Sequence, residues 1–320
     1  MRAWRRCLDA AGVHAQGLRA DYTAAARYLR RREVAMWGAV RWLTPCEFQP
    51  HALAGATMLA FTDDVCDRGP VSGCRKRFEA WSGRVQSALD TGTSHHSLLR
   101  AYLHSAHVYG LPRRWADAYL AGTRIDLEFP GFADEDDYQR YVETLTWPGL
   151  MLSTGLTPHL VADEDFAASC RLVADGLQRV DFLTDLAEDV SRGRLTLPLA
   201  ALDRHGVSRA DLEAGRDTPG VRALISETAG RARATLTAAR RAIDEVPDAY
   251  RPVVRCLLGF YDHRLDQVMA AGAAVTRRPV RDDPLTCLRL VARSRRPALP
   301  GQRSSDDRTD RPAVVSSPQP

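Results

Sequence analysis

Lysine is almost absent from this sequence, because Lys76 is the one lysine among 44 lysine and arginine residues. Taking one from 44 leaves 43 arginines, which indicates a GC-rich coding sequence rather than a specialised surface. The net charge of +4 is small for 320 residues, and no block of basic residues is interleaved with aromatic ones as in a nucleic-acid groove. We therefore expect no nucleic acid among its partners.

Cysteine pairs, export signals and long apolar runs are missing as well. The seven cysteines are scattered, with no Cys-x-x-Cys pair and no histidine at zinc-ligand spacing. The N-terminus has no apolar core of signal-peptide length, and no stretch approaches the roughly 18 apolar residues that span a membrane. We expect reduced, mostly buried thiols in a cytoplasmic protein that has at most peripheral contact with a membrane.

Strand signatures are nearly absent too, whereas apolar residues recur every three or four positions through most of the chain. From about 218 to 246 they step by 4, 7, 4 and 7 along one helical face, behind Pro219 at the helix start. The same spacing predicts helices at roughly 17–43, 48–67, 73–89, 96–109, 113–128, 135–156, 166–190 and 250–272. Pro148 is expected to kink the helix that contains it.

These helices predict an all-α protein. With 45% hydrophobic residues the chain can bury a sizeable core, and the short loops indicate one domain, a bundle of stacked antiparallel helices around a central cavity. We place this domain at residues 1–294. Residues 295–320 are rich in Pro, Ser, Arg and Asp, which predicts a disordered C-terminal tail.

Two rows of aspartates carry the chemistry. Asp63 and Asp67 are four residues apart in an apolar helix, so about 400° of rotation places both on one face. Asp181, Asp185 and Asp189 form a second row with the same spacing. One such cluster alone is more typical of a solvated helix end, but like charges in two inward rows require a cation. Carboxylate oxygens suit Mg²⁺, which is typically shared with a substrate phosphate, so we predict Mg²⁺ as the cofactor.

Several segments resemble the squalene and phytoene synthase family, all-α enzymes that join two prenyl diphosphates head to head. The resemblance runs from about Leu18 to Leu290, and its most specific segment is DFLTDLAEDVSRGRLTLPLAALDRHGVSRADL. The shorter matching segments are LRADYTAAARYL, VRWLTP, FTDDVCD, HVYGLPRRWADAYLAGTRIDLEF and YQRYVETLTWPGLM.

This resemblance implies an enzyme that binds an allylic prenyl diphosphate through Mg²⁺ and ionises it to an allylic cation. The implied catalytic and metal-binding residues are Asp63, Asp67, Asp185 and Asp189. The implied substrate-binding residues are Gln178, Arg192, Arg194, Tyr261 and Arg278. Such chemistry is physically reasonable, because metal ions and fixed donors stabilise a departing diphosphate best where water is excluded.

The departures from the family pattern remove two arginines. Ala56 and Ala60 replace a tyrosine and an arginine on the turns before the first aspartate row. Thr184 replaces the arginine before the central aspartate of the second row, and Asp181 replaces the usual asparagine. Since arginine grips a phosphate with two parallel charge-assisted bonds, alanine or threonine cannot substitute for it.

These losses predict a site for one diphosphate rather than two. We hypothesise a prenyltransferase of secondary metabolism that transfers the prenyl group to a small aromatic, carbazole-type acceptor. The second pocket, widened at Ala35, Ala56 and Ala60, would receive this acceptor, and Asp181 would be an additional metal ligand.

The alternative is an ordinary phytoene or squalene synthase, whose acceptor is a second isoprenoid. A non-catalytic assembly factor would be expected to lose the aspartate rows, and a His-Asp phosphohydrolase would need a His-Asp pair, which the sequence lacks. The prenyl chain length, the acceptor and the oligomeric state do not follow from the sequence.

Three further groups of charged residues have structural interpretations. Asp126 and Glu128 are expected to support the cavity rather than catalysis, since a carboxylate there can pair with Arg124. The acidic run at 134–137 is expected to cap a helix start, where negative charge favours the helix dipole. Asp282 and Asp283 are expected to be solvated and to lie outside the bundle.

Overall fold

Helices account for all regular secondary structure in the residues that the computed structural model describes, which are 2–67, 73–129 and 131–295. In chain order they are α1 (Arg2–Ala10), α2 (Gln16–Arg32), α3 (Val34–Leu43), α4 (Gln49–Asp67), α5 (Cys74–Thr91), α6 (Ser97–Val108), α7 (Arg114–Asp126), α8 (Glu135–Tyr141), α9 (Trp147–Thr154), α10 (Asp163–Thr184), α11 (Leu186–Ser191), α12 (Leu199–Arg204), α13 (Arg209–Glu213), α14 (Pro219–Ala239), α15 (Arg251–Ala271) and α16 (Pro284–Ser294). The all-α prediction is confirmed.

Side-chain caps mark where several helices begin. The hydroxyl of Thr218 accepts a hydrogen bond from the N–H of Val221 at 3.2 Å, so α14 begins at the predicted position. Asp134 accepts a hydrogen bond from the N–H of Asp137 at 3.0 Å, which confirms that the acidic run caps a helix, α8. Asp283 caps α16 in the same way, so this part of the chain is helical although the sequence did not predict it.

Three helices that the sequence predicts as continuous are interrupted. Glu33 separates α2 from α3 with φ −134° and ψ 70°, and Asp185 separates α10 from α11 with φ −102° and ψ 4°. A π-helical turn at Val142–Thr146 separates α8 from α9, directly before the first turn of α9, which contains Pro148. The hydrogen-bonding pattern of the helix is therefore irregular directly before this proline, and the kink itself stays a prediction. Apolar spacing continues across each break, so the pattern alone does not reveal the interruptions.

Two large apolar clusters form the core. In one, α4 packs against α2, α5, α6 and α9, and in the other α10 packs against α14 and α15. Gly55 permits the close approach of α4 to α9, because a Cβ at this position would lie 2.7 Å from the carbonyl oxygen of Leu152. Since α9 contacts both α4 and α10, the two helices that carry the aspartate rows flank the same helix.

The cysteines differ from the expectation of reduced thiols. Cys7 on α1 and Cys46 form a disulfide, with their Cα atoms 4.7 Å apart, so the prediction is wrong for these two residues. Their approach depends on packing between positions 39 residues apart, which no local pattern indicates. Of the other five cysteines, Cys170 and Cys256 are buried, and Cys66, Cys74 and Cys287 are half-buried.

None of the helices in the described ranges is long and apolar enough to cross a bilayer. The helical part of the described chain closes with α16, which ends one residue before the predicted tail. That tail lies outside the described residues from position 296 onward.

Candidate active site

The first aspartate row lies at the C-terminal end of α4. Asp63 is exposed, and its Oδ1 accepts a hydrogen bond from the hydroxyl of Tyr119 on α7 at 3.0 Å. Burial, followed by the charge of Asp63, holds the pKa of Tyr119 well above its usual range, so this hydroxyl remains a donor. Asp67 ends α4, but its side chain lies outside the described part of the chain.

Asp64 lies between the two members of this row and contacts α2 instead. It is 5% exposed, and it accepts hydrogen bonds from Nε of Arg32 at 2.8 Å and from the hydroxyl of Tyr28. A buried carboxylate needs such partners, because it has lost its hydration. The charge of Arg32 is therefore already balanced by a carboxylate of the protein.

The second row keeps its four-residue spacing across the break between α10 and α11. The N–H of Asp185 donates to the carbonyl oxygen of Asp181 at 3.0 Å, and the N–H of Asp189 donates to that of Asp185 at 2.9 Å. Helical hydrogen bonding thus continues through the break, and the three carboxylates stay on one side of the chain.

Burial raises the pKa of every carboxyl in this row. The pKa of Asp189 rises to about 6 and that of Asp181 to about 7, and the charge of Asp185 contributes to both increases. Burial is also the main cause of the raised pKa of Asp185, which the charge of Arg264 opposes. A bound cation would favour ionisation of all three groups, because it offsets both burial and mutual repulsion.

Asp181 is held by two residues of α15. Its Oδ1 accepts a hydrogen bond from Nη1 of Arg264 at 2.8 Å, and its Oδ2 accepts one from the hydroxyl of Tyr261 at 3.2 Å. Tyr261 was predicted as a site residue, whereas Arg264 was missed. The signal was available, since Arg264 stands three residues after Tyr261 and hence on the same helical face.

Asp282 belongs to the same group of charges. It accepts hydrogen bonds from Nε and Nη2 of Arg264 at 3.0 and 2.6 Å. The prediction that Asp282 is solvated outside the bundle is therefore wrong. The physical reason is that α16 packs back against α15, which brings the preceding loop to the second row.

Arg194 lies between the second row and α7. Its Nη2 donates to Oδ1 of Asp126 at 2.9 Å, and its charge lowers the pKa of Asp189 against the larger effect of burial. Asp126 therefore supports the site through Arg194 rather than through Arg124, which pairs with Glu79 at 2.7 Å. Two residues along a helix correspond to about 200° of rotation, so Arg124 and Asp126 point to different sides of α7.

Two other predicted substrate-binding residues have partners within the protein. Arg192 is exposed and forms an ion pair with Glu188 at 2.6 Å, one turn earlier on the same helix. The Oε1 of Gln178 accepts a hydrogen bond from the hydroxyl of Thr146 at 2.9 Å, at the end of the π-helical turn. Gln178 thus links α10 to the irregular segment before α9.

The segment between α15 and α16 contains three arginines, Arg277, Arg278 and Arg281, that form no ion pair within the described ranges. Arg278, which was predicted, is exposed. Arg281, which was missed, is also exposed, and its charge lowers the pKa of Asp185 against the larger effect of burial. Arg281 therefore lies close enough to the second row to act on it electrostatically.

The alanines predicted to widen an acceptor pocket do not line either of two surface cavities. Ala56 is 5% exposed within the apolar cluster around α4, and Ala60 packs against the same cluster. One cavity of about 330 Å³ lies beside Asp64, and another of about 580 Å³ lies beside Asp126. An acceptor pocket at these alanines stays a prediction.

The donor set suits a magnesium ion that is shared with a substrate. Among the described residues, no group of three or more His, Cys, Asp or Glu side chains is placed to hold a metal ion by itself. Mg²⁺ typically binds one or two carboxylates together with substrate phosphates and several waters, rather than a cage made only of protein. Asp185 is exposed and Asp189 is half-buried, and neither forms an ion pair in the described ranges. These two carboxylates therefore fit this type of site.

Comparison with known proteins relates this chain to one enzyme family. The sequence pattern of the squalene/phytoene synthase family matches residues 39–286. The chain is 28% identical to the bifunctional protein CrtB/UppS of Streptomyces coelicolor over 264 residues, which are 80% of this chain and 45% of that protein. It is 47% identical to the phytoene synthase of Thermus thermophilus over 62 residues, which are 19% of this chain and 22% of that enzyme. The chain thus spans less than half the length of these curated relatives.

Solved structures share the fold at low sequence identity. The squalene synthase HpnC from Alicyclobacillus acidocaldarius superimposes with a TM-score of 0.72 at 22% identity, over 85% of this chain and 100% of that one. A dehydrosqualene synthase crystallised with a ligand superimposes with a TM-score of 0.77 at 15% identity, over 87% of this chain and 96% of that one. Because the family pattern extends from α3 into α16, this protein belongs to the squalene/phytoene synthase family.

Proposed function

We propose that this protein is a Mg²⁺-dependent prenyltransferase that ionises one allylic prenyl diphosphate and transfers the prenyl group to a small aromatic, carbazole-type acceptor. Family membership supports the prenyl-transfer chemistry. One observation supports a single diphosphate: two arginines near the aspartate rows already bind carboxylates of the protein. Arg32 binds Asp64, and Arg264 binds Asp181 and Asp282, so neither offers its charge to a second diphosphate.

Asp63, Asp67, Asp185 and Asp189 are the proposed ligands of Mg²⁺. When bound, the metal would supply positive charge where the departing diphosphate becomes negative. Arg281, whose charge already acts on Asp185, adds an exposed guanidinium that can bind the same diphosphate. These residues together stabilise the leaving group.

The allylic cation needs an apolar wall that excludes water. Leu150 on α9 packs against both large apolar clusters, and Trp147 packs beside it. The face of an indole ring attracts a cation, so we assign Trp147 to this wall. The C–O bond to diphosphate breaks, a new C–C bond forms to the electron-rich ring of the acceptor, and this ring then loses a proton.

The second candidate function is head-to-head condensation of two prenyl diphosphates, as in a phytoene or squalene synthase. The extent of the family match, residues 39–286, favours it. The two candidates share the metal-binding aspartates and the first ionisation. They differ in whether the acceptor itself carries a diphosphate.

Product analysis separates the two candidates. The purified full chain is incubated with Mg²⁺ and dimethylallyl, geranyl, farnesyl or geranylgeranyl diphosphate, with and without carbazole, and the extracts are examined by mass spectrometry. The proposal expects a prenylated carbazole and no long hydrocarbon. A C30 or C40 hydrocarbon formed without carbazole would establish the condensation and refute the proposed acceptor.

Substitution of the aspartates tests both candidates at once. Asp63→Asn and Asp185→Asn should each lower turnover at least about a hundredfold, because each removes a charge that stabilises the leaving diphosphate. Asp165→Asn, an exposed position at the opposite end of α10, is the matched control and should keep full activity. Full activity of Asp63→Asn and Asp185→Asn would contradict both functions.

A further inference from the structure

Arg264 lies beside Asp181, the first residue of the second aspartate row, and its guanidinium contacts three side chains. Its Nη1 donates to Asp181 at 2.8 Å, and its Nε and Nη2 donate to Asp282 at 3.0 and 2.6 Å. The guanidinium also stacks on Phe260, 4.6 Å from the centroid of the ring. Only 24% of its side chain is exposed, so the protein keeps one cation at a defined place.

Asp181 differs from the other two carboxylates of its row. Both of its oxygens are engaged, one by Arg264 and the other by the hydroxyl of Tyr261. Asp185 and Asp189 are influenced by nearby arginines through space, but neither forms an ion pair in the described ranges. The row therefore contains one carboxylate that is balanced by the protein and two that are not.

A divalent cation bound to Asp181 would be repelled by the positively charged guanidinium of Arg264. The two positive charges would lie a few ångströms apart in a partly buried site, where their repulsion is much stronger than in water. If Arg264 moved away to avoid this repulsion, it would leave its fork of hydrogen bonds to Asp282 and Asp181. Asp181 is thus unsuited to act as a third metal ligand.

We propose that Arg264 is a resident cation of the second row, which neutralises Asp181 and limits the metal ligands of this row to Asp185 and Asp189. Asp181 and Arg264 are then positioning residues, and the earlier assignment of Asp181 as a metal ligand is replaced. This inference rests on the proposed function, because it assumes that the row binds a divalent metal. It explains how three neighbouring carboxylates can persist on one side of the chain while the row still binds one shared divalent cation.

The test measures metal binding without any prenyl transfer. Mn²⁺ is titrated into the full chain in the presence of inorganic pyrophosphate, and free Mn²⁺ is followed by electron paramagnetic resonance. Arg264→Gln should tighten Mn²⁺ binding at least about threefold, because it removes the cation that balances Asp181 and Asp282. Arg264→Lys keeps the charge and should bind Mn²⁺ as the wild type does. Arg240→Gln removes an arginine that pairs with Asp262 elsewhere and should also cause no change.

The double variant Asp181→Asn/Arg264→Gln gives the decisive comparison. It removes Arg264 together with Asp181, so Asp282 is the one remaining carboxylate that loses this ion pair. The side chain of Asp282 is 27% exposed and can stay hydrated, so the variant should fold even if Arg264→Gln does not. We expect it to bind Mn²⁺ within about threefold of the wild type, whereas loss of a true ligand in Asp185→Asn should weaken binding at least about tenfold. Tenfold weaker binding by the double variant, or no change in a folded Arg264→Gln, would overturn the inference.

Failure of the proposed function gives a different result. If the wild type and Asp185→Asn bind Mn²⁺ equally weakly, the second row is not a metal site, and both the function and this inference are wrong. If the wild type binds Mn²⁺ through Asp185 but the double variant has lost binding, only the inference about Arg264 is wrong. Circular dichroism of each variant is the control that tests whether the helical fold is retained.

Discussion

Acid should destabilise this protein through a buried histidine near the N-terminal end of α4, far along the helix from Asp63. His51 is 1% exposed, and its Nδ1 lies 3.0 Å from the hydroxyl of Tyr22 and 3.1 Å from Oγ of Ser105. Burial, with the charge of His104 as the second cause, lowers the pKa of His51 from 6.5 to about 4. The ring is therefore neutral in the folded protein near neutral pH.

The sign of the effect follows from proton binding. The pKa of His51 is lower in the folded protein than in the unfolded chain, so the unfolded chain binds the proton more tightly. Stability is present above the unfolded pKa and is lost as the pH falls through about 6.5 towards about 4. Proton linkage between these two values gives a loss of about 2 kcal/mol at pH 5, and about 3 kcal/mol at pH 4, relative to pH 7.5.

Urea unfolding followed by circular dichroism, at several pH values from about 7.5 to about 5, measures this loss. In His51→Gln the free energy of unfolding should fall about 2 kcal/mol less over this range than in the wild type. His14→Gln, a change at an exposed histidine, should leave the wild-type slope intact. Equal slopes for the wild type and His51→Gln would refute the reasoning, whatever the stability of the variant at neutral pH.

Two further substitutions test packing and the disulfide. Gly55→Ala should lower the free energy of unfolding by about 1–3 kcal/mol, because the new Cβ would meet backbone atoms of α9. The control is Gly83→Ala on the exposed face of α5. Its Cβ meets nothing within 4 Å, so this substitution should not lower the free energy of unfolding. Thermal melting compares these variants, and equal melting temperatures would contradict the close approach. Cys7→Ser should lower the melting temperature by roughly 5–10 °C, since the disulfide with Cys46 joins positions 39 residues apart. A reductant should lower the melting temperature of the wild type by a similar amount. If the reductant leaves that temperature unchanged, the disulfide is absent.

The part of the site that could be predicted depends on local spacing. Asp181, Asp185 and Asp189 are four residues apart in the sequence, and helical geometry alone places them on one side of the chain. Their spacing survives the break between α10 and α11, because backbone hydrogen bonds continue across it. Tyr261 was found through the resemblance to the family, and it does contact the second row.

The part that could not be predicted depends on contacts between distant segments. Arg264 meets Asp181 across 83 positions, and it meets Asp282 only because α16 packs back against α15. Likewise, Asp126 meets Arg194 across 68 positions rather than pairing with its near neighbour Arg124. A residue's charge is evident in the sequence, but the identity of its partner depends on how helices pack.

The sequence by itself determined that this protein is helical, that it carries two aspartate rows and that it resembles the squalene/phytoene synthase family. Apolar period, helical spacing and motif order are all properties of short segments, so they can be read without coordinates. Only the tertiary structure decided which carboxylates are balanced within the protein and that Cys7 lies beside Cys46. The physical reason is that charge pairing and disulfide formation require two side chains to meet in space, and packing of the whole bundle sets those distances.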